Sequence, residues 1–155
     1  MRSAQTLTDL ATAMDVAHNW AFAPKLVVLG TGPVRQTFCN DYASVMTAAL
    51  GCVVPPLTAN QQNAWLKSNE GKMAGWMPVD HETARQRTEL GYPVLYSWLN
   101  GTGGSGHIAI GVPPPPADGG HIYVSAAGAE CFVFTRIENS FGLELAAVTE
   151  AFTHD

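Results

Sequence analysis

Two residues in this sequence, a cysteine and a histidine, have the types and placement to do chemistry together. Cys39 stands in TFCNDYASVMTAALG, where Tyr42, Val45, Met46, Ala49 and Leu50 repeat at helical spacing, so the cysteine falls in the first turn of a buried helix. The positive dipole end and unpaired N–H groups of a helix N-terminus favour a thiolate there. His107 opens the apolar run HIAIGV directly after the glycine-rich NGTGGSG. A histidine at the start of a core strand that passes a helix N-terminus can complete a thiolate–imidazolium pair, and such a pair attacks carbonyl carbons. Each residue alone has a plainer reading: a small core side chain for Cys39 and strand-edge polarity for His107. Their order, with helices between them and glycine before the histidine, is what points to catalysis.

The other reactive side chains read as bystanders. Cys52 and Cys131 lie in apolar contexts and are expected to be inert; three cysteines without a CxxC spacing suggest neither a disulfide framework nor zinc. His81 reads as a solvated helix residue and His121 as the opening of a strand, while His18 and His154 have no partner visible in the sequence. No metal or other cofactor is expected. NGTGGSG lacks the Lys-Ser/Thr that follows a phosphate-binding loop. Of the four tryptophans, Trp98 ends the strand before the loop leading to His107 and is placed to line a cleft.

The elements that must position the pair follow from pattern. Leu7 to His18 has helical periodicity, with Thr6 or Thr8 as its cap. LVVL, bracketed by Ala23-Pro24 and Gly30-Thr31-Gly32-Pro33, is a short apolar run. Gly51 sits where a left-handed residue ends the Cys39 helix, and the prolines of Val53 to Pro56 impose extended chain. Thr58 to Ser68 reads as a short helix, and Asp80 caps another from His81 to Leu90. YPVLYSWL, HIAIGV and HIYVSAA then read as three consecutive antiparallel strands, the last two joined by PPPPADGG. LELAAVTEAF fits strand or helix equally. The expectation is one α+β domain over residues 1–155, with a helical N-terminal half packed on a C-terminal antiparallel sheet.

Composition removes other classes. With 155 residues, 46% hydrophobic and 14% charged, the chain is an ordinary globular domain with enough apolar side chains for a core. Eight Lys and Arg against 13 Asp and Glu give a net charge of −5, so neither a nucleic-acid footprint nor a membrane-surface patch is visible. No apolar run approaches the roughly 20 residues of a membrane span. MRSAQTLTDLATAMDV mixes Thr, Asp and Gln into its apolar positions, unlike a signal-peptide core, so the expected site of synthesis and residence is the cytoplasm unless a dedicated route exports the chain.

TFCNDYASVMTAALG, GYPVLYSWLN, GHIAIGVP and VSAAGAECF, in this order, resemble the papain-like cell-wall cysteine peptidases of the NlpC and CHAP type, over roughly Gln36 to Gly142. The resemblance implies a papain-like fold and a peptidoglycan hydrolase. Such an enzyme is an endopeptidase of the stem peptide or an N-acetylmuramoyl-L-alanine amidase. Many members are phage lysins or antibacterial effectors. The implied partners are therefore a peptidoglycan peptide and an immunity or delivery protein, with action at the bacterial cell wall after release or dedicated secretion.

Carried onto this sequence, Cys39 attacks the scissile carbonyl and His107 holds the thiolate and protonates the leaving amine. The Cys39 N–H donates to the oxyanion with Asn40 beside it, and Trp98 borders the substrate. The third position departs from the family pattern. Folding the chain symmetrically about residues 116 and 117 sets Ala126 opposite His107, and alanine has nothing with which to orient an imidazole. A backbone carbonyl, Ser125 after a one-residue slip, or Glu130 reaching back remain alternatives. Without a carboxylate partner the His107 pKa is expected to be lower. Two rivals stand beside hydrolysis: a deamidase or transpeptidase on the same framework, and a non-catalytic cell-wall or phage-assembly binding module in which Cys39 is simply buried.

Overall fold

Local capping decides where the helices begin. In the computed structural model, which describes residues 2–30 and 32–155, the Ser3 hydroxyl accepts the Thr6 N–H at 3.1 Å and starts α1 (Ala4–Met14). The cap is thus Ser3 rather than Thr6 or Thr8, and Asp15 ends the helix with φ 40°. LVVL belongs to a hairpin of β1 (Lys25–Leu29) and β2 (Gly32–Gln36); Thr31 of the expected turn lies outside the described residues. The cysteine helix, α2, spans Cys39–Ala49. A reciprocal Thr58/Gln61 capping box starts α3 (Ala59–Lys67). After it come α4 (Asn69–Met73), β3 (Trp76–Val79) and the Asp80-capped α5 (His81–Glu89).

The three expected strands are β4 (Val94–Trp98), β5 (His107–Val112) and β6 (Tyr123–Ala127), adjacent and antiparallel. Three further strands widen the sheet. β7 (Cys131–Arg136) pairs with β6, and after the short helices α6 (Ile137–Phe141) and α7 (Leu143–Ala146) the chain returns as β8 (Glu150–His154) between β3 and β4. LELAAVTEAF is therefore helix and strand in succession. The result is a six-stranded antiparallel sheet in the order β3-β8-β4-β5-β6-β7.

Both faces of that sheet are covered, so β4 and β5 are buried along nearly their whole length. Leu95, Ile108, Ile110 and Phe152 pack with Leu7, Tyr42, Met46 and Leu66 of α1, α2 and α3. On the opposite face Tyr96, Ala109, Ala126 and Ala151 pack with Ala84, Ile137, Phe141 and Ala146 of α5, α6 and α7. The α+β class is as expected, but the helices do not form a separate N-terminal layer. α5 crosses to the far face and shares it with helices from the C-terminus. Among the described residues no helix is long and apolar enough to cross a membrane.

Candidate active site

Cys39 is the first residue of α2, and Phe38 before it supplies no side-chain cap. The first-turn N–H groups, which have no intrahelical acceptor, are left for another partner. Cys39 as a whole is 3% exposed. Backbone N–H groups of Ile108, Asn40 and Cys39 itself favour its thiolate, yet burial outweighs them and Asp41 adds repulsion, so the Cys39 pKa is pushed up. The expected depression by the helix terminus is thus overturned: at Cys39 the desolvation of the sulfur outweighs the helix-end N–H groups.

His107, the first residue of β5, has its ring tilted against Phe141 with centroids 4.6 Å apart. Its Nε2 lies 3.0 Å from Ser140 Oγ. Burial pushes its pKa down to about 4, with no charged neighbour contributing. The shift has the expected direction, but its cause is desolvation. Cys39 and His107 line one open cavity of about 910 Å³, together with Asn40, Asn60, Ser140 and the loop Gly103 to Gly106. Among the described residues no hydrogen bond joins the thiol to the imidazole. With one pKa raised and the other lowered, the resting pair at neutral pH is a thiol and a neutral imidazole.

Side-chain amides fix the two walls of this cavity. Asn60, in the first turn of α3, accepts the Asn100 N–H at 3.0 Å and donates to the Gly104 carbonyl at 2.9 Å, which ties down the loop that delivers His107. Asn40 donates to the Leu57 carbonyl at 3.0 Å, so its side chain is committed to holding the chain beside α2. Buried Gln62 donates to the Asn40 carbonyl at 3.0 Å and to Ser44 Oγ at 2.8 Å.

The third-position candidates lie elsewhere. β6 pairs with β5 through Ile110↔Ser125 and Gly111↔Val124. Continued along the strands, this register sets Gly128, not Ala126, opposite His107. Ala126 is buried in the core on the α6 face. Ser125 Oγ sits 2.6 Å from the Tyr42 hydroxyl and donates to the Phe132 carbonyl at 3.1 Å, on the α2 side of the sheet. Glu130 is exposed, and its backbone carbonyl accepts the Gly128 N–H. Among the described residues none of the three hydrogen-bonds to the His107 ring; Ser140 does. Nothing in the local pattern of IENSFG marked that serine, which is 33 positions from the histidine. Trp98 pairs with His107 across β4 and β5 but packs into the core on the α6 face, and it is not among the residues lining the cavity.

The remaining histidines are less idle than their sequence contexts suggest. His81 Nε2 lies 2.9 Å from the Thr149 carbonyl and 3.0 Å from its hydroxyl, with the ring against Tyr96. His154 packs edge-on to Trp76 and its Nε2 lies 2.8 Å from the Ala74 carbonyl. His18 lies 2.9 Å from an Asp15 oxygen. His121 does not open β6: its N–H bonds to the Asp118 carbonyl in the preceding turn. Cys52 donates to the Thr47 carbonyl and is buried, with its pKa raised to about 11, and Cys131 donates to the Phe22 carbonyl. No protein-family model matches this chain, and no curated protein matches it.

Proposed function

We propose that the chain is a papain-like cysteine hydrolase that cleaves amide bonds of peptidoglycan stem peptides. The observation that carries the reading is a thiol at a helix start and an imidazole at a strand start on the wall of one open cavity. Uncapped first-turn N–H groups lie at the same place. The substrate class rests on the resemblance of the Cys39 and His107 segments to cell-wall peptidases. The partners and location follow from it: a peptidoglycan peptide, an immunity or delivery protein, and action at the cell wall after release or dedicated secretion.

Because both groups rest uncharged, His107 acts first as a general base. Its ring takes the Cys39 proton as Sγ bonds to the scissile carbonyl carbon, and the Cys39 N–H, with the neighbouring Asn40 N–H, donates to the developing oxyanion. The imidazolium then returns the proton to the amine as the C–N bond breaks. Water, deprotonated by the same ring, splits the thioester and regenerates the thiol. Clearing of isolated cell-wall sacculi by the wild type, and not by Cys39→Ala, tests this reading; equal clearing by both overturns it.

A second reading is favoured by the 3% exposure of Cys39 and the absence of a Cys39–His107 hydrogen bond among the described residues. In that reading the fold is a non-catalytic binding module. Alkylation separates the two. A Cys39 that is modified in the folded protein, and is protected by substrate peptides, supports the hydrolase; one that reacts only on unfolding supports the module.

A further inference from the structure

We propose that Ser140, delivered by α6 from outside the β5–β6 pair, is the positioning residue that orients His107, and that Gly128 is the vacancy on β6 that lets it do so. The inference rests on the hydrolase reading for its catalytic consequence and on geometry for the rest. An imidazole used as a base needs its proton on one nitrogen and its lone pair on the other. Ser140 Oγ lies 3.0 Å from Nε2, and among the described residues Nδ1 has no partner. With Nε2–H donated to Ser140, the lone pair stands on Nδ1 to receive the thiol proton.

The scaffold specifies this arrangement twice. Ser140 and Phe141 are consecutive in α6, so the hydrogen bond to Nε2 and the aromatic contact with the ring are set by one helical turn. That turn is anchored by Ile137, which is buried and whose N–H bonds to the Ile122 carbonyl at 3.0 Å. Across the strand pair, a Cβ placed on Gly128 would lie 3.3 Å from His107 Cε1 and 3.1 Å from the Glu130 carbonyl oxygen. A side chain there would crowd the imidazole from the β6 side, and the ring and the Glu130 carbonyl would each have to give by a few tenths of an ångström. The strand position opposite the histidine is thus empty because the partner comes from a helix.

The test is nitrogen NMR of His107 in ¹⁵N-labelled full-length protein, paired with turnover on muropeptides. In the wild type at neutral pH the Nε2–H tautomer should dominate. Ser140→Ala should mix the two tautomers and lower kcat about tenfold, the value of one ordinary hydrogen bond, with KM nearly unchanged. Ser140→Thr, which keeps a hydroxyl, should restore both signals. Unchanged His107 nitrogen shifts in Ser140→Ala overturn the proposal, as does a kcat loss that Ser140→Thr fails to recover. If Ser140→Ala moves the tautomer but the wild type cleaves no muropeptide, positioning of the ring is supported and the hydrolase reading is what fails.

Discussion

Acid should destabilise this fold through one side chain. Burial holds the His107 pKa at about 4 in the folded chain, against an ordinary value of 6.5. Between those values the unfolded chain takes up a proton that the folded chain refuses, so stability is complete above about pH 6.5 and falls as the pH drops towards 4. Below that, both states are protonated and the loss levels off. At about 1.4 kcal/mol per pKa unit the full loss is about 3 kcal/mol, and at pH 5 it is already about 2 kcal/mol. Against a typical total of 5–15 kcal/mol, that loss is large. With a urea m-value of about 1–3 kcal/mol/M, the midpoint should fall by roughly 1 M between pH 7.5 and pH 5. Urea melts of wild type and His107→Gln at both pH values isolate the effect, because every other titrating group is common to the two proteins. The variant should lose most of the pH-dependent drop. Equal drops in the two proteins would refute the buried, neutral histidine.

Three further outcomes follow from the same geometry. Ser125→Ala removes the hydroxyl facing Tyr42, whose pKa burial raises to about 12, and should cost about 1–3 kcal/mol in urea melts. The folded protein should nevertheless keep more than about a tenth of wild-type turnover, as should Glu130→Gln, since neither side chain hydrogen-bonds to His107. Asn60→Ala releases the Asn100 and Gly104 bonds, so limited proteolysis should shift to the Gly101 to Gly106 loop while the midpoint of global unfolding moves little. An unchanged cleavage pattern would mean that the loop is held by something other than Asn60.

Local chemistry was readable from the sequence and long-range pairing was not. The start of α2 at Cys39, the Asp80 cap of α5 and the three strands β4 to β6 follow from periodicity and capping within a few residues of each element. β3 contains Pro78, which a central strand excludes; it is tolerated because β3 is an edge. β8 begins inside a segment with both periodicities, and only pairing with β3 and β4, remote in the chain, decides its state. The third position departs from the sequence expectation for a local reason. His121 is held in the turn by the Asp118 carbonyl, so β6 begins at Tyr123, and the shifted register puts Gly128 where Ala126 was expected. The raised Cys39 pKa is hidden too, because the helix N-terminus and burial of the sulfur act on the thiol in opposite directions, and only the tertiary packing decides the sign.

The central claim is that Cys39 cleaves a peptide amide with His107 as its base. Purified muropeptides incubated with wild type, Cys39→Ala and His107→Gln, with products weighed by mass spectrometry, test it directly. The account predicts a single hydrolysed amide bond in the wild-type digest, intact muropeptides with Cys39→Ala, and a loss of several orders of magnitude with His107→Gln while all three proteins remain folded. Intact muropeptides in the wild-type digest, or the same products from Cys39→Ala, would contradict it.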